Sequence, residues 1–137
     1  MELKFTISVI PRTKKNSMRI GKKRDGTPVL LPSQAYTNYA RTCWAFIPRR
    51  REPIKERVNV KAVFYMPTKR RVDLVNLQEA LLDILVHYGL LEDDNSSIVY
   101  SMDGSYVDYD KQNPRTEVTI TSIQEEEGHG ETGVIVD

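Results

Sequence analysis

Apolar positions along this chain alternate in some stretches and recur at helical spacing in others. Leu3, Phe5, Ile7 and Val9 alternate with Lys4, Thr6 and Ser8, the period of a half-buried strand, and Pro11 ends it. Val58, Val60, Ala62 and Phe64 repeat the pattern and Pro67 closes it. Val118, Ile120 and Ile123 mark a last strand over Thr116–Ile123, with imperfect alternation. Ser33 is a predicted N-cap for a helix running to about Phe46, whose Tyr36, Tyr39, Ala40, Cys43 and Phe46 share one face. A second helix is predicted from about Leu74 to Tyr88. Its Leu74, Leu77, Leu81, Ile84, Leu85 and Tyr88 form a broad apolar face, and Asn76, Glu79, Asp83 and His87 run down the other side.

The punctuation fits this reading. Asp73 stands where a short acceptor caps free N–H groups, and Gly89 is a natural helix stop. Ile98–Met102 and Tyr106–Tyr109 are expected to pair as a hairpin around Asp103-Gly104. Ser17–Ile20 and Pro28–Leu31 are expected to pair around a turn holding Gly21 and Gly26. The elements together predict an α+β fold: a single domain with a mixed β-sheet of about four to five strands packed with two main helices. That domain is expected over residues 1–123, followed by an acidic, disordered tail over 124–137.

Charge changes the picture more than composition does. The net charge of +1 hides two opposed halves. Residues 1–91 carry 18 Lys+Arg against 7 Asp+Glu, and residues 92–137 carry 2 against 12. A basic body with an acidic tail suggests a polyanion as partner. Residues 12–24 hold seven basic side chains and no acid, among them Lys14, Lys15 and Arg19, which suits a phosphate backbone; a solvated loop is the plain alternative. No aromatic residue interleaves that run, which argues against base stacking there. The one cysteine, Cys43, excludes an internal disulfide and a Cys-built zinc site, and its place beside Trp44 on a helix points to packing. No apolar run is long enough to span a membrane, so a cytoplasmic protein is expected. Two histidines, one in the tail, leave no good base for a serine triad.

The candidate chemistry gathers around the second helix. Lys69-Arg70-Arg71 leads into it, Asp73 stands at its start, and Glu92-Asp93-Asp94 follows its end. Asp73 and Asp94 would meet only if the chain after Gly89 folded back along the helix, as an antiparallel strand would. Carboxylates so gathered would call for a divalent cation, and oxygen-only ligands suit Mg²⁺ or Mn²⁺. Capping explains Asp73 equally well, and an ordinary turn explains Asp93 and Asp94.

The joint pattern R-R-x-D-L-x-N-L-Q, a helix ending in G-L-L, then E-D-D and an Ile-Val strand resembles the RusA family of Holliday junction resolvases. The resemblance implies a small homodimeric, Mg²⁺-dependent endonuclease that cuts four-way DNA junctions in recombination and repair, of the kind common in bacteria and prophages. It places the first motif aspartate on Asp73, the motif asparagine on Asn76 and the essential aspartate of the later pair on Asp94. Two positions depart from the family pattern: its second aspartate is Val75 here, and its lysine is Glu79. Glu79 is the candidate to replace the lost carboxylate, with Asp93 completing the shell. Arg70, Arg71 and Lys111 are candidates to stabilise charge on phosphorus, and Lys69 joins them as a DNA contact. The departures also support a different reading, a catalytically degenerate branched-DNA-binding protein. A third is a partner-binding protein that uses the acidic tail.

The basic run yields a direct expectation. Neutralising Lys14, Lys15 and Arg19 together should weaken binding to all DNA and flatten the slope of log affinity against log salt by up to about 3 counterions. An unchanged slope would show that the run is merely solvated.

Overall fold

The computed structural model describes residues 1–14 and 18–124. Lys15, the start of the expected hairpin at Ser17, the side chain of Arg19 and nearly all of the expected acidic tail lie outside the described residues. Two helices pack on a mixed five-stranded sheet, and a separate two-stranded sheet stands apart from it, as the α+β reading anticipates. The strands are β1 (Glu2–Ile7), β2 (Met18–Lys22), β3 (Pro28–Pro32), β4 (Val58–Met66), β5 (Val99–Ser101), β6 (Tyr106–Tyr109) and β7 (Arg115–Ser122). The helices are α1 (Gln34–Cys43), continued by a 3₁₀ turn over Trp44–Phe46, and α2 (Leu74–His87). In the main sheet β7 lies between β1 and β4, antiparallel to both, and β5 and β6 lie along the far side of β4.

The alternation on β4 decides which face is covered. Val58, Val60, Ala62 and Phe64 are fully buried, with Ile7, Val118 and Ile120 from neighbouring strands. Leu77, Ala80, Leu81, Ile84 and Leu85 of α2 and Tyr36, Tyr39 and Cys43 of α1 enter the same cluster. Burial pushes the Cys43 thiol up to about 11, so it stays protonated and inert, in keeping with a packing role. No helix among the described residues is long and apolar enough to cross a membrane.

Both helices start as their caps dictate. The Ser33 hydroxyl accepts from the Tyr36 N–H at 3.1 Å, and an Asp73 carboxylate oxygen accepts from the Val75 N–H at 3.0 Å. α2 ends at Gly89, whose φ of 80° only glycine adopts without strain, while the Leu90 N–H closes back on the Leu85 carbonyl at 2.9 Å.

One expectation is corrected. β5 and β6 do not pair with each other around Asp103-Gly104; both run parallel to β4. The chain does turn there, with Gly104 at φ 87°, but it bulges out and rejoins the same edge. Side chains replace the missing ladder bonds. Asn59 Oδ1 accepts from the Ser101 hydroxyl at 2.6 Å and from the Asp103 N–H at 2.7 Å, and the Ser105 hydroxyl accepts from the Ala62 N–H at 3.0 Å. An Asp-Gly pair specifies a tight turn locally. The polar side chains of β4 and of the loop decide that the turn is a bulge in one interrupted strand.

Leu81 is fully buried where α2 meets the sheet. Leu81→Ala should cost about 2–5 kcal/mol of unfolding free energy in urea titration, because the cavity forms in a packed layer. A cost near zero would mean that α2 does not depend on this face.

Candidate active site

The geometry follows from two consecutive elements. β4 ends at Met66, Lys69–Val72 lead out of it, and α2 then returns antiparallel to β4. Asp73 therefore stands beyond the C-terminal end of β4. The other end of α2 is pinned near the start of β4: the Ile54 N–H donates to the Leu90 carbonyl at 2.8 Å, and the Glu92 N–H donates to the Ile54 carbonyl at 3.0 Å. Glu92, Asp93 and Asp94 are exposed at that end.

The chain after Gly89 does fold back, since β5 and β6 run parallel to β4 and hence antiparallel to α2. The fold-back begins after the acidic triplet. At roughly 1.5 Å per residue α2 spans about 20 Å, so Asp73 and Asp94 stay near opposite ends of the helix. Among the described residues no three His, Cys, Asp or Glu side chains are grouped so as to hold a metal ion. The described residues of one chain therefore do not by themselves fit the divalent cation that the sequence pattern implies.

At the Asp73 end the surroundings are basic. A cleft of about 430 Å³ opens between Ile10–Thr13 and the entrance to α2, lined by Arg12, Thr68, Arg70 and Arg71 among others. The Lys69 ammonium lies 5.2 Å from the centre of the Tyr109 ring, so the end of β6 flanks this entrance. Lys111 is exposed in the turn just beyond. Arg12 belongs to the basic run, but its place beside Arg70 and Arg71 depends on the path of the chain after β1. Arg115, in contrast, is committed to its neighbours. It bonds Asp110 at 2.9 Å and Glu117 at 2.8 Å and stacks on Tyr65 at 3.9 Å. The Arg115 guanidinium, with backbone N–H groups of the turn, holds the Asp110 carboxyl below the ordinary carboxylate range.

Along α2, Asn76 is half-buried while Val75 and Glu79 are exposed one turn apart on one side of the helix. Val75 is 62% exposed, so the position that would carry a second carboxylate in the RusA pattern faces solvent. Further down, Asp83 pairs with Lys14 at 3.6 Å, which places Lys14 beside the second half of the helix. The Asp94 carboxyl is held above the ordinary carboxylate range, first by partial desolvation, then by its neighbour Asp93, and also by the charge of Asp83. Asp94 thus shares its electrostatic surroundings with Asp83 and Asp93.

A family model described as endodeoxyribonuclease RusA matches residues 7–121. The chain belongs to the RusA endodeoxyribonuclease family. The match runs from the last residue of β1 to the penultimate residue of β7, so it takes in both helices, the basic hairpin and the main sheet apart from β1. A search of curated proteins returned no match to this chain. Membership makes Holliday junctions the class of DNA this RusA-family chain is built for. Both of its departures from the RusA motif, Val75 and Glu79, lie on the exposed side of α2.

Proposed function

We propose that this RusA-family chain is a homodimeric, Mg²⁺- or Mn²⁺-dependent endodeoxyribonuclease that resolves Holliday junctions in recombination and repair by phosphodiester hydrolysis. One observation carries the reading: an exposed carboxylate, Asp73, stands at the start of α2 directly behind the basic Lys69-Arg70-Arg71 entrance. That end attracts a phosphate backbone and offers an oxygen ligand at the same place.

The separation of Asp73 from Asp93 and Asp94 supports the dimer. No side-chain rotation closes a gap of roughly a helix length. A two-fold axis could bring the Asp73 end of one copy to the Asp94 end of a second, and would do so twice, giving two equivalent sites. A junction cut symmetrically on two strands calls for two such sites. Arg12, Lys69, Arg70 and Arg71 would hold the backbone around each, with Lys14, Lys15, Arg19 and Lys111 extending the contact. Asn76 supports the helix start behind Asp73.

The experiment is cleavage of a synthetic four-way junction with Mg²⁺, with Mn²⁺ and with chelator. Asp73→Asn and Asp94→Asn should each abolish cleavage while keeping or tightening DNA binding, since each removes negative charge near phosphate. Mixed and re-annealed, the two inactive variants should regain part of the wild-type rate, because one of the two sites in each mixed dimer is then intact. Either variant cutting at the wild-type rate would sink the assignment. Mixtures that stay dead would place Asp73 and Asp94 in one chain's site or in none.

Glu79 is proposed in place of the carboxylate missing at Val75. The two positions lie about 40° apart on the helical wheel, one turn along, and a glutamate side chain is long enough to reach back toward the helix start. Glu79→Gln should lower the rate at least ~100-fold, and Val75→Asp with Glu79→Lys should restore activity by recreating the family pattern. Normal cutting by Glu79→Gln would end this idea. A wild type that never cuts beside a double variant that does would instead mark the chain as a branched-DNA-binding protein without catalysis.

A further inference from the structure

The hairpin formed by β2 and β3 is the part of the fold that the core does not need. It forms its own two-stranded sheet with no ladder to the main one. Its tip is tight: the Lys23 N–H donates to the Thr27 carbonyl at 2.8 Å, the Gly26 N–H donates to the Lys23 carbonyl at 2.9 Å, and Gly26 sits at φ 90°. Asp25, the single acid of the tip, is turned back on the backbone and accepts from the Thr27 N–H at 2.9 Å. Lys22, Lys23 and Arg24 are exposed around it.

The two faces of the hairpin differ. On one, Leu31 folds across Gly21 so closely that an added Cβ there would lie 2.5 Å from Leu31 Cδ1. Val29 and Leu31 cover each other on that side and are half-buried. On the other face Ile20 and Leu30 stand directly opposite each other across the ladder. They are 79% and 62% exposed, an apolar pair held out in water beside three basic side chains. A two-stranded hairpin is marginally stable by itself, so leaving two large apolar side chains in solvent makes sense where a partner covers them.

We propose that Ile20 and Leu30 form a wedge that enters the branch point of the DNA junction and separates the base pair there, while Lys22, Lys23 and Arg24 hold the flanking phosphates. The occupant is argued from charge. An apolar pair rimmed by lysine and arginine is complementary to a base step between two phosphate backbones, and apolar side chains between base steps are an established means of unstacking DNA. A branch point is also where stacking is already interrupted, so insertion there costs least. The inference rests on the reading that the substrate is branched DNA, and it adds the means by which a junction is told from plain duplex.

The test uses a four-way junction carrying 2-aminopurine at the branch point, bound in chelator so that no strand is cut. Wild-type protein should raise the fluorescence as the base unstacks. Ile20→Thr with Leu30→Thr keeps β-forming residues and should abolish the rise. The preference for junction over duplex should fall about tenfold, the size expected for losing one good base contact, with duplex affinity falling far less. Ile20→Val with Leu30→Val should keep the rise, showing that apolar bulk is what matters and that the hairpin stays folded. A threonine variant that opens the junction like wild type overturns the proposal. So does loss of opening together with loss of self-association in sedimentation, which would make the pair a contact between copies of this chain. Wild-type protein that cuts junctions without opening them sinks the wedge and leaves the nuclease reading. Protein that opens them but never cuts with Mg²⁺ or Mn²⁺ sinks the nuclease reading and leaves the wedge.

Discussion

The packing of α2 against β4 is the interaction on which the rest of the structure depends. Leu77, Leu81 and Leu85 bury one side of the helix in the same cluster as Val58, Val60, Ala62 and Phe64. Each such side chain contributes on the order of 1.5–3 kcal/mol by leaving water. The consequence is directional as well as energetic. A helix that follows a strand and returns along it must put its start beyond one end of that strand and its stop near the other. Asp73 with the basic entrance, and Glu92–Asp94 with their bridge to Ile54, occupy those two ends because the core needs the helix there.

This arrangement accounts for the electrostatics. The basic cleft of Arg12, Arg70 and Arg71 and the acidic turn at Asp93 and Asp94 are separated by the length of α2, so neither neutralises the other within one chain. Lys14 crosses part of the distance and pairs with Asp83. Arg115 is withdrawn from the DNA-binding inventory by Asp110, Glu117 and Tyr65, which fix the last strand to the edge of β4. A chain whose net charge is close to zero therefore presents strong local charge of each sign at defined places, the basic part of which suits a phosphate backbone.

The hairpin belongs to a different economy. It adds little to the core and exposes what the core would hide, and its order comes from a glycine turn, an Asx contact and the Leu31–Gly21 approach. In the proposed reading, the rigid scaffold positions the carboxylates and the projecting tip meets the irregular substrate.

Local sequence determined much of this. The period of two over Leu3–Val9 and Val58–Phe64, and the helical spacing over Leu74–Tyr88, each reflect one face buried against something, and burial leaves its period in the residues. Ser33 and Asp73 as caps and Gly89 as a stop are equally local, because a cap answers to N–H groups two or three residues away. The family was legible for the same reason: its motif is contiguous and lies on one helix and its flanks. What the sequence could not hold was the pairing of distant segments. Asp103-Gly104 predicts a turn but not whether the next strand pairs with the last one or rejoins β4, and Asn59, more than forty residues away, decides it. The placing of Arg12 beside Arg70 and Arg71, the separation of Asp73 from Asp94, and the exposure of Ile20 and Leu30 are likewise properties of three-dimensional paths. Only the tertiary structure sets them, because they depend on which elements lie side by side and not on the order in which the residues follow one another.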